Sequence, residues 1–185
     1  MPPKQRITRE MILETSFAMF CRDGMEVVNA RSVAKALNCS TQPIFSYFAG
    51  MDDLKSALES KASELFETEI GAALESDSPL FNGCMAYVRF AQQQPNLFRR
   101  MFLIKRDKCP ESLTAMNEAM RQLFVRPLAD KTGEDAAQAE ERCVKLWVFT
   151  HGLASLTAMG LLDVSEESAK RMLREAERHY ALLGE

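Results

Sequence analysis

Residues 29–54 read Asn29-Ala-Arg-Ser-Val-Ala-Lys-Ala-Leu-Asn-Cys-Ser-Thr-Gln-Pro-Ile-Phe-Ser-Tyr-Phe-Ala-Gly-Met-Asp-Asp-Leu54. The stretch predicts two very short helices, broken at Asn38-Cys39, with a long amphipathic helix before them and another after them. This arrangement is typical of a helix-turn-helix, which presents one helix to the major groove of DNA. The segment therefore provides both the first fold prediction and the first functional hypothesis.

Capping signals place the ends of these helices. Gly24 should end the helix that precedes them, and Asn29 should cap the second helix with its side-chain oxygen. Ser40 should cap the third helix through the N–H of Gln42, because Pro43 in the first turn has no N–H to donate.

Apolar spacing predicts which side chains of this segment are buried. In the third helix Ile44, Phe45 and Phe48 should point to the core. Phe17 and Phe20 in the first helix should be core residues too. None of these rings is expected to stack on DNA bases.

Helical patterns continue through the rest of the chain, and no stretch has a convincing strand pattern. The first helix should run from about residue 6 to 23, and the fourth to about Ala73. Further helices should lie near residues 80–94, 96–104, 111–131, 137–162 and 165–183. The fold class is therefore all-α, with about nine helices.

Composition and charge limit the possible functions. The 185 residues are 46% hydrophobic and 26% charged, which is enough to form a core. A net charge of -3 argues against binding nucleic acid with the whole surface. Residues 1–50, however, hold six Lys or Arg against four Asp or Glu. A basic end on an acidic body is consistent with a small DNA-reading head.

The cysteines and the apolar runs indicate the compartment. Five scattered cysteines form no Cys-x-x-Cys pair, and no apolar signal stretch is present, so a reduced, cytoplasmic location is expected. The most apolar run, Leu146–Leu162, contains His151 and two glycines, and it is expected to be a buried helix without membrane contact.

The last two helices suggest a second copy of the chain. The helix at 137–162 is apolar on nearly all sides, and its own protomer can cover only one face. A homodimer is the simplest way to cover the remainder. The predicted interface residues are Leu153, Leu156, Met172, Leu173, Ala176 and Tyr180.

Two sets of motifs resemble the TetR/AcrR family of bacterial transcriptional regulators. Over residues 6–60 they are Phe20-x-x-x-Gly24, Arg31-Ser-Val-Ala-Lys, Ser40-x-x-x-Ile-Phe-x-Tyr-Phe48 and Asp52-Asp-Leu54. The second set resembles a subgroup with a Trp-x-x-x-His-Gly stretch in its regulatory domain. It comprises Tyr87-Val-x-Phe90, Pro95-x-Leu-Phe98, Met101-Phe102 and Trp147-x-x-x-His151-Gly152-Leu.

Two positions depart from the family pattern. Met51 stands where members usually have a phosphate-contacting Lys, which predicts a slightly weaker or less salt-sensitive complex with DNA. Asn38 stands where members usually have Gly in the turn. Asn also tolerates a left-handed backbone, so the turn should be preserved.

The resemblance implies a domain order and a function. Residues 1–50 would be a three-helix DNA-binding domain, residues 51–75 a connecting helix, and residues 76–185 an effector-binding and dimerisation domain. The chain would be a repressor that binds a palindromic operator in double-stranded DNA as a homodimer. A small, largely apolar effector would release it, and no cofactor or metal is expected.

DNA contacts are expected from the third helix and its surroundings. Gln42 can pair with an adenine edge, while Pro43 and the Thr41 methyl can pack on a thymine methyl. The other expected contacts, mostly to the DNA backbone, are Asn29, Arg31, Ser46, Tyr47, Lys4 and Arg6.

Effector contacts are expected from the apolar residues of the body. The chain has eleven Met and eleven Phe, and Met adapts to irregular space. The candidate pocket residues are Phe90, Phe98, Met101, Phe102, Met120, Phe124, Trp147 and His151. For each of them an ordinary core position is the simpler interpretation, and the resemblance to the family is what favours a pocket.

Other functions remain open at this point. An enzyme is disfavoured, because no phosphate loop, dinucleotide glycines, zinc spacing or nucleophile elbow is present. A helical module that binds protein instead of DNA is the main alternative, and activation instead of repression is another. Oxidation of Cys39 in the turn could impair DNA binding, although a small apolar filler is the simpler interpretation of this residue.

Overall fold

The computed structural model describes residues 7–104, 125–126, 129–130, 133 and 135–182. These residues form eight α-helices and no strand, so the all-α prediction is confirmed. The helices are α1 (Arg9–Asp23), α2 (Ala30–Ala36), α3 (Gln42–Tyr47), α4 (Met51–Leu74), α5 (Pro79–Gln93), α6 (Pro95–Phe98), α7 (Ala136–Ala158) and α8 (Glu166–Leu182). A 3₁₀ turn lies at Met25–Val27, and a π-helical turn at Arg99–Leu103. The predicted helix at 111–131 lies largely outside the described residues.

The chain divides into two compact units, residues 1–65 and 66–185. The division falls inside α4, the long helix predicted to connect head and body. The functional assignment of residues 1–50, 51–75 and 76–185 remains a prediction.

Helix α1 begins three residues later than predicted and ends where predicted. The side chain of Thr8 caps it by accepting the N–H of Met11 at 3.2 Å. Gly24, with φ 94°, ends it and donates its N–H to the carbonyl of Phe20 at 3.0 Å. A positive φ of this kind is readily adopted only by glycine, so the predicted stop is confirmed.

The cap of α2 and the turn after it are also as predicted. Asn29 accepts the N–H of Ser32 at 3.0 Å, and the Ser32 hydroxyl accepts the N–H of Asn29 at 3.1 Å. Together they form a capping box. Asn38 takes the left-handed conformation, with φ 50°, and lets Cys39 donate its N–H to the carbonyl of Ala34.

The predicted cap of α3 is wrong. The helix begins at Gln42 and its N-cap is Thr41, whose backbone is already helical (φ -73°, ψ -16°), and no side chain caps it. Ser40 lies outside the helix. A cap is dispensable because Pro43 has no N–H and the carbonyl of Thr41 accepts the N–H of Ile44 at 3.1 Å.

Two side chains hold α3 on the core of the first unit. Ile44 and Phe48, one turn apart, are 0% and 2% exposed. Phe45 is 52% exposed, so its predicted burial is wrong. It lies about 100° around the helix from Ile44, and a six-residue helix has room for one anchored face. The remaining core of this unit comprises Ile12, Phe20, Met25, Val28, Val33, Ala34, Leu54, Leu58 and Ala62.

The second unit is built around α5, α7 and α8, which pack on one another. One face of α7 is buried through Leu146, Leu153 and Ala154, and α8 is anchored by Ala169 and Leu173. Within the described residues, no helix is both long enough and apolar enough to cross a membrane.

The left-handed backbone at Asn38 gives a stability prediction. Asn38→Ala should lower the free energy of unfolding by about 1 kcal/mol, because Ala adopts the left-handed conformation less readily than Asn does. Asn38→Gly should stay within about 0.5 kcal/mol of the wild type. Urea unfolding of both variants measures the difference. Lys35→Ala, an exposed position with helical backbone, is the control, and an Asn38→Ala variant as stable as this control would contradict the prediction.

Candidate functional site

The exposed face of α3 is the first candidate site. Gln42, Phe45, Ser46 and Tyr47 are exposed, and the flanking Thr41 is partly exposed. The side-chain amide of Gln42 has no hydrogen-bond partner among the described residues. This face therefore combines a free amide donor and acceptor with an exposed aromatic ring. Phe45 is the member that the sequence analysis missed.

The other predicted DNA contacts differ in how far their side chains are already engaged. Ser46 donates its hydroxyl to the carbonyl of Gln42 at 3.0 Å, and Pro43 is partly buried. Asn29 donates its side-chain N–H to the carbonyl of Val27 at 3.3 Å, in addition to capping α2. Arg31 is exposed and forms no ion pair within the described part of the chain. Lys4 and Arg6 lie outside the described residues.

The start of α1 is tied to the end of α3. The hydroxyl of Tyr47 donates to the carbonyl of Ile7 at 3.3 Å, and the guanidinium of Arg9 lies 5.0 Å from the centre of the Phe48 ring. These contacts place Ile7 and Arg9 beside the C-terminal end of α3. A phosphate contact from Tyr47 would have to share its hydroxyl with Ile7.

An aromatic cluster in the second unit is the other candidate site. Neighbouring rings are 4.9–6.3 Å apart between centroids, mostly edge-to-face or tilted. Five elements supply them: α4, α5, α6, the π-helical turn and α7. The aromatic cluster comprises Phe66, Tyr87, Phe90, Phe98, Phe102, Trp147 and His151.

Two polar groups lie within the aromatic cluster. The hydroxyl of Tyr87 and Nδ1 of His151 are 2.9 Å apart, in hydrogen-bond distance. Burial raises the pKa of Tyr87 above its ordinary value and lowers the pKa of His151. Both shifts disfavour the charged forms, so the pair is neutral near pH 7. The indole of Trp147 stacks on the imidazole at 5.4 Å and an interplanar angle of 17°.

The aromatic cluster contains five of the eight predicted effector residues. They are Phe90, Phe98, Phe102, Trp147 and His151. Met101 is partly buried on the π-helical turn beside Phe102. Met120 and Phe124 lie outside the described residues.

Sequence reasoning missed two members of the cluster. Tyr87 lies three residues before Phe90 on the same face of α5, so helical spacing could have found it. Phe66 gave no such signal, because it lies on α4, a helix with no predicted effector residue.

An exposed apolar stripe along α7 bears on the predicted dimer interface. The α7 stripe consists of Val144, Val148, Gly152, Leu156 and Met159, spaced by three or four residues, and Val148 is 58% exposed. Spacing of this kind places side chains on one helix face.

The predicted interface residues fall into two groups. Leu153, Leu173 and Ala176 are buried inside their own protomer, which corrects their assignment to an intersubunit surface. They are internal because they form the contact between α7, α8 and the rest of the second unit. Leu156 lies on the α7 stripe, while Met172 and Tyr180 are partly exposed on α8.

The family model of the tetracyclin repressor-like C-terminal domain matches residues 80–178, more than half of the chain. The chain belongs to the TetR family of transcriptional regulators. The match includes the aromatic cluster except Phe66, and it includes the α7 stripe.

Individual relatives of this TetR family member agree with the assignment. Rv0681 of Mycobacterium tuberculosis, an uncharacterized HTH-type transcriptional regulator, is 23% identical over 164 residues, which are 85% of this chain and 73% of the relative. A TetR-like transcriptional regulator from Rhodococcus sp. RHA1 has a TM-score of 0.70 at 15% identity, over 97% of this chain and 100% of that chain.

A second similar structure contains a ligand. Thermus thermophilus FadR, a TetR family transcriptional repressor in complex with lauroyl-CoA, has a TM-score of 0.54 at 15% identity, over 94% of this chain and 93% of that chain. Because both sequence identities are 15%, these two structures support the fold of this TetR family member.

Proposed function

We propose that the chain is a ligand-responsive repressor that binds a palindromic operator in double-stranded DNA as a homodimer. A small, largely apolar effector bound in the second unit releases it. The observation that carries the proposal is the exposed face of α3, which follows a left-handed turn and presents Gln42 and Phe45 outward. A short helix anchored on one side and polar on the other has the form of a recognition helix.

Base reading is assigned to Gln42 and Phe45. The free amide of Gln42 can donate to and accept from an adenine edge, and the ring of Phe45 can pack on a thymine methyl. Arg31, exposed and without an ion pair in the described residues, is assigned to phosphates, which fix the register without reading sequence. Asn29 acts as a cap of α2, and its backbone contact is secondary in this proposal.

The contact classes can be separated by substitution. After operator selection from a random duplex pool, Gln42→Ala should cost about 1–3 kcal/mol at the preferred site and relax specificity at one or two base pairs. Arg31→Ala should weaken binding to all duplexes alike. It should also reduce the slope of the logarithm of the binding constant against the logarithm of the salt concentration by about 1. Titrations by fluorescence anisotropy at several salt concentrations measure both. Binding of the wild type to every duplex with equal affinity would reject sequence-specific recognition.

The role of Phe45 can be tested on the DNA. Replacing the contacted thymine by uracil removes one methyl group and should cost the wild type about 0.8 kcal/mol of binding energy. Phe45→Ala should bind more weakly and lose this sensitivity, whereas Phe45→Leu should keep it. If Phe45→Ala distinguishes thymine from uracil as well as the wild type does, the ring does not contact the methyl.

The α7 stripe supports a homodimer. Five consecutive positions of one helix face expose apolar groups or a glycine, and apolar faces of this kind mark protein interfaces. Gly152 adds a separate argument. A Cβ there would meet no atom within 4 Å, so the packing of the protomer does not require glycine, although glycine costs a helix about 1 kcal/mol relative to alanine. A close approach of a second helix accounts for it.

A charge on the α7 stripe should therefore break the dimer. Val148→Glu should shift the protein toward monomer by at least about tenfold in dissociation constant, because the carboxylate would lose its water on association. Ala136→Glu is the matched control, since Ala136 is exposed at the start of the same helix. Sedimentation velocity measures both variants. A Val148→Glu protein that dimerises like the control would exclude the stripe from the interface.

Release by an effector requires coupling, and α4 is the proposed carrier. Its first half buries Leu54 and Leu58 in the core of the first unit, and Phe66 in its second half belongs to the aromatic cluster. An effector that displaces Phe66 would act on a helix whose first half lies in the core of the unit that contains α3. Reversing a 99:1 population of the DNA-binding state needs a ligand preference of about 5.5 kcal/mol. The apolar acyl chain of the ligand in Thermus thermophilus FadR supports an apolar effector here.

A further inference from the structure

The hydrogen-bonded pair Tyr87 and His151 determines which polar group a molecule bound at the aromatic cluster should carry. Tyr87 and His151 are the two side chains of the cluster with hydrogen-bonding groups besides the indole of Trp147. The inference below rests on the proposal that this unit binds an effector, and it adds the chemical class of that effector.

The direction of the Tyr87–His151 hydrogen bond follows from the need of the buried Tyr87 hydroxyl for an acceptor. A buried O–H has to donate, and within the described residues its acceptor is Nδ1 of His151 at 2.9 Å. A neutral imidazole that accepts at Nδ1 carries its proton on Nε2. With Tyr87 as the donor, the imidazole proton lies on Nε2, for which the described part of the chain holds no acceptor.

His151 is not completely enclosed by its neighbours. His151 and Trp147 are both partly exposed, although Phe98 is completely buried. The imidazole lies against Trp147 at 17° and against Phe98 at 34°, so flat apolar surfaces border it. A ligand that reaches Nε2 would rest its body on these rings.

The backbone next to Phe98 departs from regular α-helix. Phe102 lies on the π-helical turn, where Ile104 donates its N–H to the carbonyl of Arg99 at 3.2 Å in an i→i+5 bond. Such turns are rare and occur often at functional sites.

We propose that the effector has an apolar body and a carbonyl oxygen that accepts the Nε2 proton of His151, as in a ketone, an ester or a thioester. The body replaces part of the ring contacts among Phe98, Phe102 and Trp147. A hydrocarbon would bury the Nε2–H without a partner, and an alkylammonium ion would present a donor to a donor. Both should bind more weakly than a carbonyl compound of the same shape.

Three probes of matched shape test this ligand class. They are benzylacetone, which has a carbonyl group, n-butylbenzene, which has no polar group, and phenylbutylamine, which is cationic. Trp147 is the only tryptophan of the chain, so its fluorescence reports occupancy at the stacked imidazole. The full-length wild type should bind benzylacetone at least about tenfold more tightly than either other probe.

Substitutions distinguish a specific hydrogen bond to His151 from non-specific apolar binding. His151→Phe keeps an aromatic ring but removes the donor, and its preference for benzylacetone should fall to within about twofold. Tyr87→Phe removes the hydroxyl that holds the proton of His151 on Nε2. Its preference for benzylacetone should lie between those of the wild type and His151→Phe. His179→Phe, at the exposed second histidine, should bind like the wild type. Nitrogen NMR of the ligand-free wild type should report the proton of His151 on Nε2.

Several results would overturn the inference. These are a proton on Nδ1, equal affinity for the three probes, tighter binding of the amine, a preference that survives in His151→Phe, or no fluorescence response to any probe. Operator binding is measured separately with the same samples. A selective response to benzylacetone with unchanged operator affinity would reject effector-controlled release while leaving the ligand class in place.

Discussion

A six-residue helix is unstable by itself in water, and everything proposed for the first unit depends on how α3 is held. Ile44 and Phe48, one turn apart and almost completely buried, provide the anchor. Their burial fixes the rotation of the helix, and the rotation decides that Gln42, Phe45 and Ser46 face outward. The turn at Asn38 and the cap at Asn29 serve the same end, because they set the angle at which the chain enters the helix.

Local conformational chemistry made much of this unit predictable. A positive φ at Gly24, a left-handed Asn38 and a side-chain cap at Asn29 each follow from what one residue type can do. The predictions for Ser40 and Phe45 were wrong because the preference of each residue type competes with the geometry of its helix. Ser40 is a good capping residue, but α3 begins at Gln42 and places Thr41 at the N-cap position, one residue beyond Ser40. Phe45 is apolar, but its position around the helix is dictated by Ile44 and Phe48, and hydrophobicity alone does not reveal that.

The second unit was predictable as a set of helices and less so as a site. The sequence of α7 has apolar residues on nearly all sides of the helix. Only the fold shows that Leu153 is buried and Val148 is exposed. Likewise, the ring pattern of Phe90, Phe98, Phe102, Trp147 and His151 could be predicted, whereas Phe66 reaches the same cluster from a distant part of the chain. Long-range contacts of this type depend on how helices pack, and helical periodicity contains no information about the partner helix.

The outward ring of Phe45 also has a thermodynamic consequence. In the free protein this ring is hydrated, and on association with an operator it would leave water. Removal of apolar surface from water lowers the heat capacity and is driven by entropy near room temperature. This part of the affinity would weaken on cooling. If α3 enters the major groove as proposed, one aromatic side chain would thus add a temperature-dependent term to the affinity for DNA.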